Sequence, residues 1–470
     1  MSHRPSVARA ARCIPSSLAV FAAAFAFSGC AKTEGTRSTD STASSTSSAT
    51  TSVACVGDNG GITLPAGFCA TVFADDIGHA RHIVVNTNGD VYVNTWSGRY
   101  YQGATKSGAF LLALRDTNAD GKADLIKRFG PDAQQGNGGG TGISIYKGAL
   151  YAEEGDTLSK RIVRYALSSD SLGPTSTTSE AIVIALPADG DHPMHPFVID
   201  GSGNIFMDVG SASNSCQVKS RTLESPGRRP CVELQTRAGI WRYDANRTNQ
   251  RFSRAGRYAT GNRNAVGIAL DGSGQLFATQ HGRDQLFENW PKLYTSNQGQ
   301  NLPAEELLKV AQGDDYGWPY CYYDGSQKKL VLAPEYVGDG GKAVGECASK
   351  KGPEAFFPAH WAPDGIVFYT GSQFPARYNG GAFIAFHGSW NRAPGPQGGY
   401  NVAFVPFTGG KAIDPAKYEI FADGFAGANK QPDAAAHRPT GLAVGPDGSL
   451  YIAEDKGGRV WRVVYKGTAR

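Results

Sequence analysis

The sequence predicts an all-β fold, a six-bladed β-propeller, and three observations predict it. First, a short apolar or aromatic run follows a turn glycine six times, at Gly89–Val93, Gly148–Ala152, Gly203–Met207, Gly274–Ala278, Gly381–Ala385 and Gly448–Ile452. Repeats of this kind mark blades, because one four-stranded sheet cannot bury both its faces and radial stacking of the sheets builds the core. Second, the chain carries 60 glycines in 470 residues, as a fold made of tight turns requires. Third, the runs are unevenly spaced, roughly 55 to 105 residues apart, so several blades carry long loops. Loops gathered at one end of a rigid scaffold are where binding and catalysis concentrate.

Taken in order, the chain opens with an address. Arg4, Arg9 and Arg12 precede the apolar run Leu18–Phe27, too short to span a bilayer as a mature helix, and residues 1–30 read as an export signal. Phe27-Ser28-Gly29-Cys30 resembles the lipobox of bacterial lipoproteins. On that reading Cys30 becomes the lipidated first residue, and the expected location is periplasmic or outer-surface, attached to the membrane through Cys30. Residues 31–52 are mostly Ser, Thr and Ala; they bury little and form a flexible tether. The propeller is expected over 53–470.

The net charge is +4 and no basic tract stands out, which excludes a nucleic-acid partner. No Cys-x-x-Cys-His haem motif and no dinucleotide fold is present. Six cysteines follow Cys30 and fall into sequence-local couples, 55 with 69, 216 with 231 and 321 with 347. Export favours disulfides, and proximity favours those pairings among the fifteen connectivities six cysteines allow. Each closure would contribute roughly 3 kcal/mol in the chain-entropy model and pin a long loop.

Several loops carry chemistry. Asp116, Asn118, Asp120 and Asp124 stand at positions 1, 3, 5 and 9 of a loop with Gly121 at position 6, the opening of an EF-hand-like calcium loop. Lys127 replaces the closing glutamate, so the alternative is a solvated acidic turn. His192 and His195 precede the third run, and either is a candidate general base because imidazole titrates near neutrality. Arg263 and Asn264 are placed to polarise a carbonyl oxygen. Glu305-Glu306 and Gly313–Pro319 read as a rigid shelf. His360, His387, Arg392 and Arg438 flank later strands, a collection suited to a flat, anionic, conjugated ligand.

Those segments together carry a resemblance. GNRNAVGIALD (261–271), ATQHGRDQL (278–286), GDDYGWPYC (313–321), HWAPDGIVFYTG (360–371), HGSWNR (387–392) and HRPTGLAVGPDGSLYIAED (437–455) occur in consistent order. From Pro65 to Val464 the chain resembles the glucose/sorbosone dehydrogenase family, six-bladed propellers using pyrroloquinoline quinone (PQQ) and calcium, and within it the L-sorbosone dehydrogenase branch. The resemblance implies oxidation of a sugar or sugar aldehyde, with electrons passed to an external acceptor. It implies that His192 takes the substrate hydroxyl proton, that Arg263 and Asn264 stand at the cofactor's reactive carbonyl, and that Arg438 grips a cofactor carboxylate. The backbone carbonyls of Gly282 and Arg283 would bind calcium. The chain departs from the soluble glucose dehydrogenases in having His387-Gly388 where they place a lysine and Thr440 where they place an arginine. His360, His387 or Arg392 would have to substitute. A carbohydrate-binding propeller without cofactor is the alternative reading, and a calcium-dependent lactone hydrolase ranks last.

Overall fold

A computed structural model describes residues 55–96, 106–132, 139–155, 158–392 and 394–467. The export signal, Cys30 and the tether lie outside the described residues.

The six glycine-led runs become the second strands of six sheets: Val91–Thr95, Ala149–Gly155, Asn204–Val209, Leu276–Gln280, Ala382–Phe386 and Leu450–Glu454. These strands read as continuous apolar runs because neighbouring blades cover both faces; Val91–Thr95, Ala382–Phe386 and Leu450–Glu454 are buried at every position. The outermost strand of the first blade, Leu125–Asp132, is largely exposed. The first strands, among them Ile268–Leu270, Pro363–Phe368 and Pro439–Val444, line a central channel. Each blade is a sheet of four antiparallel strands, and the second also pairs in parallel with the short strand Gln250–Arg251.

The sixth blade is built from both ends of the propeller. Phe68–Ala74 pairs antiparallel with Val460–Tyr465, with Phe68 opposite Tyr465. The seam is packed by aromatic rings in edge-to-face contact, including Phe68 against Phe374 at 4.8 Å and against Phe421 at 5.0 Å. The three expected disulfides, Cys55–Cys69, Cys216–Cys231 and Cys321–Cys347, are all formed.

Antiparallel pairing fixes which loops share a face. The glycine turns join first to second strands and lie at one end of the ring. The residues that precede each first strand and follow each second strand lie at the other, and the site is found there.

Candidate active site

At that end lies a cavity of about 460 Å³. Residues ahead of first strands supply His192, Arg263, Asn264, His360 and Arg438 to its wall, and Asp364 comes from the start of one; residues behind second strands supply Trp96, His281, Gly282, His387 and Gly388. Of the residues singled out from the sequence, His192, Arg263, Asn264, Gly282, His360, His387 and Arg438 therefore meet in one place.

His192 is buried, and its Nδ1 lies 2.8 Å from the backbone oxygen of Ser211. A carbonyl only accepts, so Nδ1 carries the proton and Nε2 holds the basic lone pair at the cavity wall. Burial, and then the neighbouring Arg263, hold the imidazole well below its usual range, so it stays neutral. Gly210 makes room for this placement. A Cβ there would sit 2.5 Å from His192 Cβ and 3.1 Å from Asn264 Oδ1. Gly210→Ala is accordingly expected to displace the histidine, lowering turnover about tenfold while overpacking costs about 1–3 kcal/mol; steady-state kinetics beside thermal melting checks both.

The Arg263 guanidinium is aimed by several acceptors, the four nearest of which are these. Nε donates to the Asn214 carbonyl at 3.0 Å, Nη2 to Asn214 Oδ1 at 3.0 Å and to Asp284 Oδ2 at 3.1 Å, and Nη1 to the Gly282 carbonyl at 3.0 Å. Burial alone would raise the Asp284 carboxyl, but Arg263 and Arg221 overcome it and hold Asp284 ionised. Asn391 Nδ2 donates to the other oxygen of Asp284 at 2.8 Å. The pair Arg263 and Asn264 thus presents a fixed cation and an amide beside His192, the arrangement that stabilises negative charge developing on an oxygen.

Across the cavity a buried network joins four blades. Arg81 Nη1 contacts Asp364 at 2.9 Å and Asp455 at 2.6 Å. His387 Nε2 meets Asp455 Oδ1 at 2.8 Å, and His281 Nε2 meets Asp364 Oδ1 at 3.2 Å. Burial opposes ionisation of both aspartates; Arg81 and His387 outweigh it and lower both. Beside it Arg438 donates to the backbone oxygens of His387, at 3.1 Å, and Gly388, at 2.7 Å. It is the cavity arginine that pairs with no carboxylate among the described residues.

A family model described as TrAA12-like matches residues 62–466. The chain belongs to the TrAA12-like family. Among solved structures, this TrAA12-like chain is similar to the iodide structure of Trichoderma reesei Carbohydrate-Active Enzymes Family AA12, at 19% identity and a TM-score of 0.66, covering 86% of this chain and 98% of that one. It is also similar to the holo form of the pyranose dehydrogenase PQQ domain from Coprinopsis cinerea, at 19% identity and a TM-score of 0.63, covering 86% and 97%. Those likenesses show the fold. A pyrroloquinoline quinone-dependent pyranose dehydrogenase of Coprinopsis cinerea is 27% identical over 237 residues, 43% of this chain and 30% of that protein. The matches span less than half the length of the curated relatives, 48% and 30% of the first two.

Not every residue singled out from the sequence reaches the cavity of the TrAA12-like chain. Arg392 turns away: its guanidinium donates to the backbone oxygens of Gln300, at 3.1 Å, and Ala359, at 3.0 Å, and to Asn301 Oδ1 at 3.0 Å. It pins a loop and cannot replace a cofactor-binding lysine. The Arg283 side chain is buried against Glu335 at 2.5 Å. His195 is fully buried with Nδ1 3.0 Å from Glu153 Oε1, so it serves as a structural histidine below the site. Thr440 is buried too, its hydroxyl donating to the Ala80 carbonyl at 2.9 Å across the blade seam.

The loop carrying Asp116, Asn118, Asp120 and Asp124 joins the third and fourth strands of the first blade, at the end opposite the cavity. Four of its oxygens bond its own turn: Asp116 Oδ2 accepts from the Gly121 amide at 2.8 Å, Asn118 from Asp120 at 2.9 Å, Asp120 from Lys122 at 2.8 Å, and Asp124 from Thr117 Oγ1 at 2.6 Å, while Asp116 Oδ1 is buried without a hydrogen-bond partner among the described residues. Among the described residues no group of three His, Cys, Asp or Glu side chains is placed to hold a metal ion.

Most of the acids at this site do not stand out in the sequence. Asp191, Asp284, Glu305, Asp364 and Asp433 share the wall with Arg81, Arg221, Arg263 and Arg438. Glu305 accepts from the Gly282 amide at 3.0 Å, and burial pushes its carboxyl up to about 7. Asp364 and Asp455 do carry a signal, since both stand where first strands begin or second strands end. Arg81 and Arg221 carry none, because neither belongs to a repeated motif.

Proposed function

We propose that this chain is a quinoprotein dehydrogenase that oxidises a sugar or sugar aldehyde with PQQ and calcium and passes the electrons to an external acceptor. The carrying observation is His192, a neutral imidazole whose Nδ1 is committed to Ser211 and whose Nε2 is basic, beside the fixed cation of Arg263. The relative named for PQQ-dependent pyranose oxidation supports the reading, and so does the family.

The donor set fits the cofactor. A flat polycarboxylate needs cations that are not already neutralised, and Arg438 supplies one. The cavity has room for a ligand of that size. His360 donates Nε2–H to the Gly299 carbonyl at 3.0 Å, which leaves Nδ1 as an acceptor on the wall. When bound, PQQ supplies an electrophilic quinone carbonyl that takes a hydride from carbon. His192 Nε2 takes the hydroxyl proton of the carbon being oxidised. Arg263 and Asn264 hold the oxygen that gains negative charge. Arg438 would grip a carboxylate, and the Gly282 carbonyl would contribute to a calcium site. Substrates of the L-sorbosone type are the finer expectation. Anchorage at Cys30 in the periplasm or on the outer surface is proposed with it.

The test is titration of the metal-stripped mature protein with PQQ, with and without calcium, followed by dye reduction across aldoses and sugar aldehydes. Calcium-dependent binding with acceptor reduction is expected. Absence of binding at tens of micromolar PQQ would overturn the reading in favour of a carbohydrate-binding propeller.

A further inference from the structure

We propose that Arg221, carried to the cavity by the hairpin closed by Cys216–Cys231, is a positioning residue that keeps the Arg263 guanidinium available to the reacting oxygen. For its turnover readout this rests on the dehydrogenase reading above. The hairpin is otherwise a surface feature. Its base is fixed by the disulfide, by the Val218 amide donating to the Pro226 carbonyl at 2.8 Å, and by Arg228 donating to the Cys216 carbonyl at 2.9 Å.

Inside the hairpin the buried Gln217 shapes the tip. Its Nε2 donates to the carbonyls of Thr222 and Ser225, and its Oε1 accepts from the Arg221 amide at 2.8 Å. Arg221 itself has φ +52°, the left-handed region that a residue with a side chain enters at a cost of about 1–2 kcal/mol. Such strain persists only where the surroundings dictate it. The outcome is directional: the Arg221 side chain reaches back over the wall instead of into solvent.

There it holds two carboxylates. Nη2 lies 3.0 Å from Asp284 Oδ2 and 3.3 Å from Asp191 Oδ2, and Nη1 donates to Gln285 Oε1 at 3.2 Å. Asp284 Oδ2 is the same oxygen that accepts from Arg263 Nη2. One carboxylate is therefore shared between two guanidinium groups, and Arg263 keeps more of its positive potential than a one-to-one pair would leave it. Asp191, the second partner, is adjacent to His192 in the chain. Without Arg221, Asp284 would draw the charge of Arg263 alone.

Arg221→Gln tests this, with Arg221→Lys as the charge-conserving control. In the cofactor-free protein the His192 imidazole is followed by NMR against pH. The groups bearing on it are Arg263, His281 and Asp284, with Asp191 and Arg221 beside them. Loss of one positive charge is expected to raise its midpoint by on the order of half a unit, and Lys is expected to restore it. In the loaded enzyme Gln is expected to lower kcat about tenfold with KM within about threefold, and Lys to recover most of the loss. A Cys216→Ser, Cys231→Ser double variant should reproduce the Gln phenotype, with no further loss when the changes are combined. An unchanged His192 midpoint together with unchanged kcat in Arg221→Gln overturns the proposal. A shifted midpoint in a protein that oxidises no sugar leaves the positioning role standing and sinks the dehydrogenase reading instead.

Discussion

Replacing His192 with alanine is expected to leave PQQ binding within about threefold of the parent while turnover falls by about two to four orders of magnitude, the range of a lost general base. The two effects separate because the polar ties of His192 run to Ser211 at 2.8 and 3.1 Å, whereas the groups assigned to the cofactor are on other blades. The same geometry sets the pH profile. Burial and Arg263 depress the imidazole below 6.5, so protonation that disables the base begins only at lower pH. The acid limb of kcat/KM is thus expected below pH 6.5, and it should vanish from the residual activity of the alanine variant. Equilibrium binding of PQQ beside a pH series of dye reduction reads both. Bound cofactor with undiminished turnover would remove His192 from the mechanism. The role would not pass readily to His195, whose ring is fully buried and tied to Glu153.

How much of this site the sequence displays follows from the propeller's geometry. A repeat that marks the second strand also marks its end, so His281, Gly282, His387 and Gly388 are found a few residues past the glycine-led runs, and all of them reach the cavity. His192, Arg263 and Arg438 stand just ahead of first strands and are found by the same rule. The rule says where a residue lies along the strand and nothing of which way its side chain turns. Asn391 and Arg392 are neighbours, yet Asn391 bonds Asp284 while Arg392 bonds the backbone of another loop. Arg81 and Asp455 are separated by almost the whole chain and meet only because the ring closes. Arg221 needs a disulfide and a left-handed backbone to arrive. Contacts that depend on closure leave no local pattern to read.

That closing network carries the other large effect. Asp364→Asn is expected to destabilise the propeller by about 3 kcal/mol, the lower end of the cost of stripping one partner from a buried ion pair. Asp364 and Arg81 have side chains 4% exposed, so water cannot take over the lost contact. Asp455 still pairs with Arg81 at 2.6 Å, which keeps the cost from being larger. The pH dependence gives a second reading of the same charge. Both aspartates are depressed below their unfolded values, so their contribution is complete above about pH 4 and is lost as pH falls through the folded values. The asparagine variant should therefore melt earlier at neutral pH and lose less than the parent on acidification below about pH 4. Thermal melting of both proteins across that range decides it. If the variant melts with the parent at neutral pH, the seam between first, fifth and sixth blades is held by its packing alone, and the charges at the cavity exist for the ligand.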